Sequence, residues 1–159
     1  MTQINFTTAL ATAGRWLAAV LLAMAAHAVP AQGGQPQNLP TTTLTVGMHN
    51  IKAQLAVKPE QRQIGLMFRS QMPTHEGMLF VFEEPSVQCF WMRNTLIALS
   101  IAFLADDGTV VNIADMQPQN DTSHCSARPV RFALEMNQGW FAKRGVKPGT
   151  RIGGAPFRH

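Results

Sequence analysis

Thr43 to Val46 and Ile51 to Val57 alternate apolar with polar side chains at a period of two, with Gly47-Met48-His49-Asn50 between them. The pattern predicts a β-hairpin. Pro59 suits the first turn of a helix, where its missing N–H costs nothing, and Ile64, Leu66, Met67 and Phe68 give that segment an apolar face that Pro73 ends. Gly77 to Phe82 reads as a buried strand stopped by Glu83-Glu84-Pro85-Ser86, and a second strand covers 88–92. Ile97 to Ala105 and Thr109 to Met116 flank Asp106-Asp107-Gly108, a hairpin turn. Residues 117–128 form a polar loop between Pro118 and Pro129, and Val130 to Met136 is a strand with Phe132 and Leu134 on one face. Asn137 caps a short helix reaching Arg144, and Lys147-Pro148-Gly149-Thr150 turns into a last strand at 150–153. Many short strands, two short helices and no βαβ rhythm predict an α+β fold: a compact, mostly antiparallel, β-barrel-like domain.

The amino terminus reads differently. Arg15 precedes the unbroken apolar run Trp16 to Ala26, and Ala26-His27-Ala28 has the small-x-small form that a signal peptidase accepts. We expect residues 1–28 to be a signal peptide cleaved near Ala28, with Ala31 as the alternative, since the run is too short to span a bilayer. Residues 29–42 are rich in Gly, Pro and Gln and predict a flexible leader. A single β-rich domain then fills 43–159, in a periplasmic or secreted protein with no membrane span.

Charge and cysteines refine this picture. From Val29 onward, 12 Lys plus Arg stand against 9 Asp plus Glu, and between Arg128 and Arg158 Glu135 is the sole acid among seven cations. Such a surface attracts an acidic envelope component or serves as a solubilising face. Nucleic acid is not expected, because no binding motif is recognisable. Cys89 and Cys125, an even pair in an oxidising compartment, predict a disulfide, with two metal-serving thiols as the alternative.

Arg93, Asn94 and Thr95 interrupt two apolar runs, Phe90 to Met92 and Leu96 to Phe103. On one reading these polar groups satisfy backbone where the chain bends. On the other, Asn94, Thr95, Arg62, Arg69 and Glu135 converge on a pocket beside Trp91 that holds an anionic or sugar-like ligand. Glu135, between Leu134 and Met136, would need Arg62 or Arg69 as a partner if it faced inward, and is the one candidate acid or base for catalysis. No cofactor is expected. Met67, Met78, Met92, Met116 and Met136, with Cys89, Cys125 and His124, are ligand types that suit Cu(I), although no pair has metal-site spacing and methionine more often fills core gaps.

Five ordered motifs carry a resemblance: RQIGLMFR at 62–69, GMLFVF at 77–82, FWMRNT at 90–95, LEMNQG at 134–139 and PGTRI at 148–152. Over roughly 44–153 the chain resembles the domain of unknown function 192 family. That resemblance implies a compact β-rich fold and frequent export, and supplies no reaction. Arg62, Gly65, Met67, Arg69, Gly77, Met78, Phe80, Trp91, Met92, Asn94, Thr95, Glu135 and Gly139 match its signature. Ser100 stands where many members have Asp, and Gly149-Thr150 where they have Gly-Asp. The expected function is therefore an exported, non-catalytic ligand-binding or accessory protein of the cell envelope. The alternatives are an envelope-polymer hydrolase with Glu135 as acid or base, and a periplasmic copper-binding protein using Met and Cys ligands.

Overall fold

The computed structural model describes residues 34–157, which fall within one compact unit, Gly33–His159. The expected signal peptide, the first leader residues and Arg158 lie outside the described residues.

The elements in chain order are β1 (Thr41–Val46), β2 (His49–Ala56), α1 (Pro59–Ile64), β3 (Glu76–Ser86), β4 (Cys89–Phe90), β5 (Leu99–Leu104), β6 (Val110–Met116), β7 (His124–Cys125), β8 (Val130–Asn137) and a 3₁₀ turn, Ala142–Arg144. Six strands form one sheet in the order β1-β2-β3-β8-β5-β6, and β4 and β7 pair as a separate ribbon. Neighbours run antiparallel except β2 and β3, which are parallel because α1 carries the chain across between them. The mostly β architecture thus matches the sequence pattern, but the sheet is mixed and is not closed into a barrel. Its outer strands, β1 and β6, do not pair with each other. Instead the segment 149–153 hydrogen-bonds to both margins: Gly153 pairs with Thr45 of β1, and Arg151 with Thr109 just before β6.

Only one of the two expected helices is α-helical. α1 starts at Pro59, and the Gln61 side-chain oxygen accepts the backbone N–H groups of Val57 and Lys58 at 3.0 and 2.9 Å. It ends at Ile64, well before Pro73, because Gly65 turns the chain with φ +52°, a conformation suited to glycine. The second expected helix is the three-residue 3₁₀ turn. The end of the expected leader is also more ordered than its composition implies. Gln37 Nε2 donates to the Gln61 and Gly65 carbonyls at 2.8 and 2.9 Å, and Leu39 N donates to Gln54 Oε1 at 3.1 Å.

The sheet separates two apolar cores. Leu79, Leu134, Met136 and Leu104 point to one face, which the chain after β8 covers with Trp140, Phe141, Val146 and Ile152. Met78, Phe80, Ile101 and Ala133 point to the other, where Leu66 and Met92 pack over them. β8 lies between β3 and β5, and its stretch Phe132 to Met136 is buried, so a period of two sends Phe132, Leu134 and Met136 to one core and Ala133 and Glu135 toward the other.

The Cys89–Cys125 disulfide joins β4 to β7, whose Cα partners are these same two residues. It closes a loop of 36 residues, and loop closure of that length stabilises by about 4 kcal/mol on the chain-entropy account. We expect the Cys89→Ser, Cys125→Ser double variant to unfold at lower urea concentration, with a stability loss of about 2–4 kcal/mol. Equal midpoints for the two chains would show that the ribbon is held by its packing alone.

Candidate functional site

β8 supplies the centre of the site. With Leu134 and Met136 in the first core, alternation turns Glu135 into the second, level with Met78 of β3 and Ile101 of β5. Gly77, its diagonal neighbour on β3, has no room for a Cβ, which would lie 2.4 Å from the Glu135 carbonyl oxygen. The two strands therefore approach closely beneath the acid.

Glu135 is only 4 % exposed, and among the described residues its carboxyl group has no hydrogen-bond or ion-pair partner. Burial pushes its pKa up from 4.5 to about 8, so the group is mostly a neutral acid at pH 7. It lines a cavity of about 370 Å³ between α1, β3 and the β4 strand. Leu66, Met67, Phe80, Phe82, Phe90 and Trp91 make much of the wall apolar and aromatic, and Arg62, Gln63, Gln88 and Thr95 add polar groups to it. Phe90 meets Phe80 and Phe82 edge to face, with ring centroids 4.8 and 6.3 Å apart. Ile64 and Trp91, 37 % and 47 % exposed, line the same cavity and carry apolar surface into solvent.

Four of the six residues expected to bind ligand, Arg62, Trp91, Thr95 and Glu135, line this cavity; Arg69 and Asn94 are elsewhere. The expected Glu135–arginine pair does not form. Arg62 Nη1 donates to the Val57 and Val81 carbonyls at 2.6 and 2.8 Å, its guanidinium pairs with Glu83 at 3.2 Å, and it lies 4.9 Å over the Phe82 ring. The reason is topological: α1 and the outer half of β3 bring Arg62 to exposed Glu83 and to strand-end carbonyls before it can reach the sheet interior. A backbone hydrogen bond first, and then Arg62, hold the Glu83 carboxyl below its ordinary range. Arg69 Nη2 donates instead to the Gln37 carbonyl at 2.6 Å and to Gln54 Oε1 at 2.9 Å, and burial lowers its pKa.

Asn94 has a local reason to be polar. It sits at φ +57° in the turn closed by Thr95 N donating to the Met92 carbonyl, a conformation asparagine tolerates better than most residues. Its carbonyl accepts Phe68 N at 2.9 Å, tying this turn to the chain after α1. Arg93 pairs with Asp121 at 3.0 Å and stacks 4.2 Å over Trp91. Thr95, buried, accepts Gln119 N on its carbonyl. The polar triplet is thus a corner that holds Trp91 and Thr95 at the cavity, with Asn94 as its hinge.

The metal-ligand types are dispersed. Both cysteines are consumed by the disulfide, and Met136 lies on the opposite face of the sheet from Met78, Met92 and Met116. No group of three or more His, Cys, Asp and Glu side chains able to hold a metal ion occurs among the described residues. Ser100 has a structural duty missed by sequence reasoning: its Oγ donates to Asp115 Oδ1 at 2.5 Å and accepts Gly139 N at 2.8 Å. The basic carboxy-terminal residues are partly engaged, Arg131 with Asp106 at 3.1 Å and Arg144 over the Trp140 ring at 4.3 Å. Among the described residues no helix is long and apolar enough to cross a membrane.

Comparison with known proteins bears on the family and the fold. The profile of the DUF192 family, described as Uncharacterized ACR, matches residues 42–154. A crystal structure from Sinorhizobium meliloti, of a protein provisionally named a transcription regulator, is 35 % identical with a TM-score of 0.74, covering 77 % of this chain and 100 % of that one. One from Novosphingobium aromaticivorans, of a protein of unknown function, is 34 % identical with a TM-score of 0.67, covering 77 % and 94 %. No curated protein matches the chain.

The buried acid sets a pH dependence. Between about 4.5 and 8 the folded chain keeps a proton on Glu135 that the unfolded chain has released. Stability should therefore fall as pH rises through this window, by up to about 1.4 kcal/mol per unit. In urea unfolding from pH 5 to 8, Glu135→Gln should flatten this slope and stabilise the chain most at pH 8. Parallel wild-type and variant curves would show that the acid is solvated.

Proposed function

The chain belongs to the DUF192 family, and on that footing we propose that it is a small exported binding domain whose ligand enters the cavity over β3 and β8. The ligand sets a polar group against Glu135 and an apolar body against the aromatic wall. One observation carries this reading: a central strand places a carboxyl group, without an internal partner among the described residues, at the surface of a cavity that opens to solvent. A complementary ligand group supplies the hydrogen bond that the fold leaves unmade, a gain of about 0.5–1.5 kcal/mol. Largely apolar walls with a few convergent polar groups, here Glu135, Thr95, Gln63 and Gln88, are the usual form of a small-molecule site.

Export is supported by the amino-terminal pattern and by the disulfide, which persists in oxidising compartments. Binding is favoured over hydrolysis because Glu135 is the sole carboxyl group among the described residues lining the cavity. Glycoside cleavage ordinarily requires two. An anionic ligand is disfavoured, since Arg62 spends its donors on Val57, Val81 and Glu83.

N-phenyl-1-naphthylamine, a neutral fluorophore that brightens in apolar surroundings, tests the cavity directly. We expect saturable uptake at one site per chain, weakened at least tenfold by Met67→Trp, which fills the wall, in a variant whose thermal midpoint is unchanged. Unsaturable fluorescence, or equal affinity in the variant, would rule out this cavity.

A further inference from the structure

We infer that the ligand of this cavity is an organic amine, a primary ammonium group on an apolar or aromatic body, bound as an ion pair with the Glu135 carboxylate. The inference rests on the binding reading above and narrows its chemistry.

The charges around Glu135 support it from every side. On its own strand and on β3 and β5 its neighbours are Met78, Ile101 and Ala133, none of which titrates. From α1, Arg62 is the other charged side chain lining the cavity among the described residues, and Glu83 already neutralises it. From β4, Cys89 is locked in its disulfide. A cation entering the cavity therefore meets a single acid and no free opposing charge. It also meets Phe80, Phe82, Phe90 and Trp91, and aromatic ring faces attract ammonium groups. The fold uses this attraction at the cavity already, with Arg62 over Phe82 and Arg93 over Trp91. A neutral amide or alcohol would gain a hydrogen bond from Glu135 but neither an ion pair nor a cation–π attraction from the rings. A carboxylate would gain no guanidinium donor.

The proton balance makes the inference measurable. In the free chain at pH 7 Glu135 is largely protonated. An arriving ammonium ion keeps its three protons, and the carboxylic acid gives up one to solvent as the ion pair forms. Binding should therefore release close to one proton per ligand at pH 7. Affinity should rise by up to about tenfold per pH unit below about 8, where the free acid is half ionised, and level off above that pH.

The experiment uses the purified full chain loaded with N-phenyl-1-naphthylamine, displaced by benzylamine, benzyl alcohol or benzoate. Calorimetry in buffers of different ionisation enthalpy counts the protons. We expect benzylamine to displace the fluorophore at least tenfold more effectively than benzyl alcohol or benzoate at pH 7.5, with proton release. Glu135→Gln should abolish the release and the preference for benzylamine. The proton count is read on the wild-type chain, so it does not hinge on the variant folding. If benzyl alcohol or benzoate competes as well as benzylamine, or benzylamine binds with no proton released, the amine assignment is overturned and the cavity stands. If the fluorophore itself fails to bind saturably, the cavity falls and the amine with it.

Discussion

β8 is buried on both faces, and that constraint determines most of what surrounds it. A strand in the middle of a sheet has no solvent side to which a polar residue can be sent, so its alternation is a division between two cores. Leu134 and Met136 take one core, and Glu135 is left in the other. A one-residue slip of register would exchange them and place the acid beneath Trp140 and Phe141. The close approach of Gly77 to the Glu135 backbone resists such a slip, because a Cβ there would strike the β8 carbonyl. Conventional core formation and the unusual acid are thus products of the same pairing.

The layer over the second core is thin, and this explains why a cavity exists there at all. On the first face the carboxy-terminal chain lays down Trp140, Phe141, Val146, Ile152 and Phe157. On the second, a six-residue helix, two separate turns with left-handed residues, Phe68 after α1 and Asn94 after β4, and a two-stranded ribbon share the covering. Short elements meet at their ends and leave space between them. The disulfide links the two short strands of the ribbon, and hydrogen bonds between Gln88 and Ser126 and from Asn112 to the Cys125 carbonyl extend its attachment.

Much of the sheet was legible in the chain. The hairpin of β1 and β2, the buried β3 and the pair β5 and β6 each announce themselves by period or by turn residues, and Pro59 marks the start of α1. The mixed order was hidden, because the parallel pairing of β2 and β3 rests on a helix of only six residues, too short to leave a βαβ rhythm. β4 and β7 were hidden within a predicted longer strand and a predicted loop, since two-residue strands carry no periodicity. At the site, Trp91, Thr95, Arg62 and Glu135 were recognisable as companions from their motifs. Their pairing was not: Arg62 finds Glu83, and Arg69 finds Gln37 and Gln54, through chain reversals that no local pattern encodes. Composition also misjudged Gln37 to Leu39, whose order comes from hydrogen bonds to distant backbone and side chains rather than from burying apolar surface.

The segment 149–153 touches both margins of the sheet, pairing Gly153 with Thr45 of β1 and Arg151 with Thr109 before β6. An open sheet ordinarily offers its edges as templates to any extended polypeptide it meets, and this strap occupies part of each edge from within the same molecule. A sheet that never closes on itself thereby withholds part of both margins from edge-to-edge aggregation.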